Sequence, residues 1–193
     1  MARVDRERIE AATRELIAAI GESVDRPGLE QTPQRVADAY AEFFSGVGED
    51  PLQHLGEGMP LDPSEAGEAV LVRGIAFRSM CEHHLLPFLG TADVAYVPDE
   101  KVVGLGRIPR VVGVLAARPQ VQERLGEQIA ETIETGLGAK GVLVVLDAQH
   151  ACVTARGTRQ AGSTTVTVAS RGILRNPLER AELFALLGKG PQS

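Results

Sequence analysis

Two short clusters of metal-ligating side chains, each at the end of a strand-like run, constrain this chain more than any other feature. Cys81-Glu82-His83-His84 follows an apolar run through Val70, Leu71, Val72, Ile75 and Phe77, and His150-Ala151-Cys152 follows Val142 to Leu146. If Cys81, His84 and Cys152 hold one ion, the fold must bring these two strand ends together across an intervening helix pair. Two thiolates and one imidazole are the composition of a catalytic zinc site whose fourth position stays open to water. That composition points to a metal-dependent hydrolase rather than a binding module. It leaves His83 and His150 beside the metal to carry protons.

The competing reading makes Cys81 and Cys152 buried small hydrophobes or a disulfide pair, because free cysteine is often buried. Two features count against it. Paired cysteines in a cytosolic protein suggest metal before a disulfide, and three of the four histidines sit in the same two clusters. The start of the chain, Met1-Ala2-Arg3-Val4-Asp5-Arg6, opens into a charged amphipathic segment rather than a signal peptide, and no apolar run reaches the ~20 residues of a membrane span. A cytoplasmic location is expected. The net charge of −6 argues against nucleic acid as a partner. It leaves room for an anionic small molecule held by a local arginine cluster.

The chain reads as an α+β protein. Ile9, Ala12, Leu16, Ile17 and Ile20 form one face of a helix over about 5–20. Thr32 is a candidate N-cap with Pro33 behind it, opening a helix that carries Val36, Ala37, Tyr40, Phe43 and Phe44. The Gly-, Pro- and acid-rich stretch from Gly48 to Gly67 reads as a linker. This predicts an N-terminal helical arm and linker over 1–67 and a catalytic domain over 68–193. In that domain, strands are expected at 70–77, at 90–97 with Ala92, Val94 and Tyr96 on one face, and briefly at 102–105. Helices are expected at 107–115 and 121–137, the second with Leu125, Ile129 and Ile133 on one face. A buried strand follows at 142–146, then an alternating strand at 164–169 with Val166 and Val168 opposite Thr165 and Thr167, and a short helix at 177–187. Strands split by a helix pair fit a mostly antiparallel sheet.

Several of these segments together resemble the GTP cyclohydrolase I family. The residues are Ser79-Met80-Cys81-Glu82-His83-His84-Leu85-Leu86-Pro87-Phe88, Gln120-Val121-Gln122-Glu123-Arg124-Leu125, His150-Ala151-Cys152 with Arg156-Gly157, and Gly28 through Ala37 upstream. The likeness runs in order over about residues 10 to 175. It implies a tunnelling fold: a four-stranded antiparallel sheet with a helix pair on one face, preceded by the helical arm. It also implies a homodecamer of two stacked pentamers with active sites at subunit interfaces.

The resemblance implies chemistry on GTP as substrate: opening of the imidazole ring at C8, release of formate and closure of a pterin ring to 7,8-dihydroneopterin triphosphate. Zn2+ would be held by Cys81, His84 and Cys152. His83 resembles the residue that protonates purine N7, and His150 a second proton carrier. Neighbouring side chains point in different directions, so His84 can face the metal while His83 faces substrate. Glu123 would accept two parallel hydrogen bonds from guanine N1–H and the exocyclic amino group, a pair of donors that adenine lacks; Gln122 is the adjacent candidate. Glu82 is either a residue that orients a ligand or a solvated carboxylate. Arg107, Arg110 and Arg156 match basic positions for the triphosphate, where guanidinium forks suit phosphate oxygens.

The chain departs from the family pattern at four places. Gly104-Leu105-Gly106-Arg107 stands where Gly-Leu-Ser-Lys is usual, so Gly106 lacks a hydroxyl and Arg107 replaces lysine. Asp93 stands where a histidine is common, and Ala117 where a polar residue is usual. Three alternatives therefore stand beside the main reading. One is a divergent paralogue acting on another guanine nucleotide or in a specialised deazapurine or pterin pathway. Another is a non-catalytic ring protein that binds purine or pterin. The third is a structural zinc module closed by His83 or His150.

Overall fold

The structure, a computed structural model, describes residues 4–62 and 68–187. The described residues form two compact units divided between Glu49 and Asp50. The expected arm-to-domain boundary at 67/68 falls on the edge of residues 63–67, which lie outside the described residues, as do residues 1–3 at the start of the chain.

The first unit is a helical pair. α1 spans Arg6–Ala19, and the Asp5 carboxylate caps it by accepting from the Arg8 N–H at 3.0 Å. Its buried residues are Ile17 and Thr13; the Thr13 hydroxyl donates to the Ile9 carbonyl at 2.8 Å. Leu16 and Ile20, expected on the apolar stripe, are 62% and 70% exposed. α2 spans Thr32–Phe43. Thr32, expected to cap it, lies one residue inside, after Gln31, and its hydroxyl turns back to the Gly28 carbonyl at 3.5 Å. Tyr40 meets Phe43 and Phe44 edge-on, at 6.2 and 5.5 Å between ring centroids.

The second unit begins inside the stretch read as a linker. A 3-10 turn, Pro51–His54, leads to Leu55, which is 2% exposed and joins the main core. Next comes β1 (Met59–Pro60), which pairs with β4 (Lys101–Val102). Polar and turn-forming neighbours hide this one buried leucine from a composition-based reading, because a 3-10 turn gives no apolar periodicity.

The main sheet contains β2 (Val70–Cys81), β3 (Pro87–Val97), β6 (Gly141–His150) and β7 (Thr165–Gly172), all antiparallel and in that spatial order. β5 (Pro119–Gln120) adds a two-residue parallel edge beside Met80 and Cys81. The expected four antiparallel strands are therefore present, with a short fifth strand that the pattern did not reveal. β2 is bulged between Val72 and Ile75, where Gly74 has a φ of 67°. Asp93 closes that bulge: it is 7% exposed, and its carboxylate accepts from the Gly74 N–H at 2.8 Å. At this position the aspartate does structural work in the strand.

The helix pair covers one face of the sheet. α3 spans Arg107–Ala116 and α4 spans Gln122–Leu137. Ile108, Val111, Val112 and Leu115 pack with Leu125, Ile129 and Ile133 onto Phe77, Phe88, Ala92, Val94, Tyr96, Val144 and Leu146. Each even-numbered strand residue from 88 to 96 and from 142 to 148 faces the helices, as the alternation requires. The opposite face carries a smaller core of Ala95, Val97, Leu143 and Val145. Leu174 and α6 (Pro177–Leu186) cover it, through Leu183 and Phe184, together with Leu187 just after the helix. In β7 the threonines take the helix side, and Val166 and Val168 stand 54% and 46% exposed on the other. Among the described residues, no helix is long and apolar enough to cross a membrane.

Candidate active site

The sheet register builds the site. β2 ends at Cys81, and the chain turns tightly through residues 82–86 before returning as β3. The Cys81 N–H donates to the Leu86 carbonyl at 2.9 Å, and the Leu85 N–H donates to the Cys81 carbonyl at 2.8 Å, with Leu85 at a φ of 50°. Phe88, just inside β3, pairs with His150, the last residue of β6. A single helical turn, α5 (Ala151–Thr154), then carries Cys152 back towards the loop.

Ligand atoms of Cys81, His84 and Cys152 lie within 4.8 Å of one another. A tetrahedral ion with bonds of about 2.0–2.3 Å to nitrogen and sulfur fits between atoms at such separations. Among the described residues, no fourth Cys, His, Asp or Glu joins the group. Burial, and then the Cys81 sulfur beside it, push the Cys152 thiol above its ordinary value. A cation between the two sulfurs removes that penalty, since thiolates are the metal-binding form. The donor set thus fits zinc and leaves one coordination position for a non-protein ligand.

His83 and His84 point in different directions. Their rings stand at 85° to each other with centroids 6.3 Å apart. His84 joins the cluster, while His83 is exposed, with Nδ1 4.0 Å from the Cys81 sulfur. The Arg156 Nη1 lies 3.1 Å from His84 Nε2, which brings this arginine to the cluster.

His150 is held on two sides. Its ring stacks on Phe88 at 4.6 Å and an interplanar angle of 5°, and its Nε2 lies 2.7 Å from the Gln122 Oε1. Burial lowers its pKa, and the nearby Glu123 charge works in the opposite direction. Glu123 lies in the first turn of α4, exposed and electrostatically coupled to His150. Gln122, expected beside Glu123 as a guanine contact, is 1% exposed; its amide nitrogen donates to the carbonyls of Leu146 and Thr165 and to the Thr167 hydroxyl.

Glu82 forks onto Arg124, with contacts of 2.5 and 3.1 Å. The hydrogen bond from Arg124 holds the Glu82 carboxyl below the usual carboxylate range. The fork ties the loop after Cys81 to α4 through a carboxylate that stays partly open to solvent. Sequence alone offered no signal for Arg124 as its partner.

Arg107 and Arg110 stand apart from this group. They occupy the first turn of α3, whose last residue, Ala116, lies near the metal loop through the Ser79 hydroxyl, which donates to the Ala116 carbonyl at 2.7 Å. The ten residues of α3 put about 14 Å between its ends. Gly106 is the N-cap of α3 and provides no side-chain cap.

A Cys2His cluster with an open position, set at one end of an antiparallel sheet beside two histidines, has the donor set of a catalytic metal site. The family model described as GTP cyclohydrolase I matches residues 9–188, and the chain belongs to that family. Its relatives include the GTP cyclohydrolase 1 of Leifsonia xyli subsp. xyli, 64% identical over 96% of this chain and 97% of that protein. The GTP cyclohydrolase 1 of Rhodopirellula baltica is 51% identical over 96% of this chain and 80% of its own length. That of Bacillus subtilis is 49% identical over 95% and 96%.

Proposed function

We propose that this protein is a zinc-dependent GTP cyclohydrolase I that converts GTP to formate and 7,8-dihydroneopterin triphosphate, a step of pterin and tetrahydrofolate biosynthesis, in the cytoplasm. The observation that carries this reading is the convergence of Cys81, His84 and Cys152 beside His83, His150 and Glu123 at one end of the sheet. Zinc, when bound, supplies a Lewis acid that makes hydroxide available near neutral pH.

The chain's own residues supply the rest. His83, exposed beside the cluster, delivers a proton to purine N7 as the ring opens. His150 handles a second proton, its ring plane fixed by Phe88. Glu123 accepts from guanine N1–H and the exocyclic amino group, and its charge, which acts on His150, places the purine beside that ring. Arg156 brings positive charge next to the cluster. Arg107 and Arg110 serve the triphosphate. Their place at the remote end of α3 favours a site built between subunits, in the decamer of two stacked pentamers expected from the family.

Product analysis tests this reading. The zinc-loaded protein with GTP should yield dihydroneopterin triphosphate and one formate per GTP, by chromatography and mass spectrometry. Unchanged GTP in a protein that holds its zinc would overturn it.

A further inference from the structure

We propose that Gln122 is a positioning residue that fixes the ring orientation and the Nε2–H tautomer of His150, rather than a contact to guanine. The argument starts from which atoms can only accept. The Gln122 Nε2 faces the carbonyl oxygens of Leu146 at 3.1 Å and Thr165 at 2.8 Å, together with the Thr167 hydroxyl at 3.1 Å. Two backbone carbonyls cannot donate, so the amide cannot be flipped without setting oxygen against oxygen. The Gln122 Oε1 is therefore the atom left for His150, and it too can only accept. At 2.7 Å from His150 Nε2, it requires a proton on that nitrogen.

The consequence is a fixed division of labour within one ring. The Nε2 proton is held by the Gln122 oxygen, and Nδ1 is the ring nitrogen left to face a substrate. Phe88, stacked on the ring at 4.6 Å, prevents rotation that would exchange the two nitrogens. The arrangement is buried and over-determined: Gln122 is 1% exposed and makes four polar contacts, so its amide nitrogen has no donor left for a substrate. β6, β7 and the first turn of α4 all contribute, which locks the proton's position to the sheet register. A histidine so arranged meets its substrate in one tautomer and needs no rotation between turnovers.

The inference rests on the GTP cyclohydrolase reading for its kinetic test only. Magic-angle-spinning 15N spectra of zinc-loaded protein labelled at histidine, with the His150 signals assigned by their loss in His150→Asn, should show a protonated Nε2 and a bare Nδ1. Gln122→Met keeps the length of the side chain and removes the strong acceptor. It should give a mixture of tautomers, with kcat for GTP down at least about tenfold, KM within about twofold, and zinc content unchanged. A wild-type spectrum with the proton on Nδ1 and a bare Nε2 would overturn the proposal. So would a Gln122→Met enzyme with kcat preserved and KM raised, the pattern of a lost guanine contact. If that variant does not fold, the wild-type spectrum alone decides. A wild type that releases no formate from GTP overturns the function, and the spectrum still decides the tautomer.

Discussion

Both terminal nitrogens of Arg124, the residue after Glu123, rest on the carboxylate of Glu82, the residue after the candidate metal ligand Cys81. The fork links the metal loop to the helix turn that presents Glu123. Because both partners are solvent-exposed, its contribution to global stability is small. Its effect should fall on alignment. Arg124→Ala is expected to lower kcat/KM for GTP about tenfold, with a melting temperature within a few degrees of wild type and zinc retained. Arg124→Lys, which cannot fork, should recover only part of that loss. Steady-state kinetics beside calorimetry and metal analysis check this, and a large drop in melting temperature would show that the fork is structural instead.

Cys152 is the one ligand supplied from the second strand end, so its loss should open the site. Cys152→Ser is expected to take zinc from one per chain to near zero after dialysis, with formate release abolished and the circular dichroism spectrum kept. A chelator should do the same to the wild type, reversibly on adding zinc. Retained stoichiometric zinc in Cys152→Ser would remove this residue from the ligand set.

Glu123→Gln replaces an acceptor pair by one acceptor and one donor. The kcat/KM for GTP should fall about a hundredfold, and the preference for GTP over inosine triphosphate, which lacks the exocyclic amino group, should shrink. Comparing the two nucleotides on both enzymes isolates the contact. An undiminished preference would place guanine recognition elsewhere.

Leu55 reports on the stretch that composition presents as a linker. It is 2% exposed within the main core, so Leu55→Ala should cost about 2–5 kcal/mol by urea unfolding. A change under about 1 kcal/mol would mean that the segment packs loosely and can be treated as a tether.

Tyr96 lies buried in the main core with its hydroxyl on a backbone N–H. Burial pushes its phenol above the ordinary value of about 10, while the Val103 N–H, donating to the hydroxyl at 3.2 Å, pulls it down. With the folded value above the unfolded one, its stabilising contribution is complete below pH about 10. It is lost as pH rises through the folded value. Tyr96→Phe should therefore lose about 1 kcal/mol at pH 8, where the Val103 N–H is left unpaired, and should show a shallower decline in stability above pH 10. Urea midpoints at both pH values test this; parallel curves would refute it.

The sequence made some parts of this molecule plain and hid others, for physical reasons. The meeting of Cys81, His84 and Cys152 was legible because a metal site needs particular ligand atoms, and few other uses explain those residue types at that spacing. Ala92, Val94 and Tyr96 were legible because a strand alternates without exception between its bulges. Leu55 was not, since a lone buried leucine in a 3-10 turn has no period to betray it. Val166 and Val168 showed their alternation but not their side, and it is Thr165 and Thr167 that face the helices. Gln122 looked like a neighbour of Glu123 with the same task. Only the carbonyls of Leu146 and Thr165, supplied by two strands, reveal that its amide is turned inward. Asp93, a departure from the family pattern, becomes intelligible once Gly74 is seen to donate to it.

The pairing of Phe88 with His150 has a bearing on how the chain matures. The ligands meet only after the β2–β3 hairpin and the long-range β3–β6 ladder have both zipped in the correct alignment. A two-residue slip in that ladder would carry Cys152 about 7 Å from its partners, beyond the reach of any single ion. A metal ion that uses this donor set would therefore bind tightly only to a chain whose strands have paired in the native register.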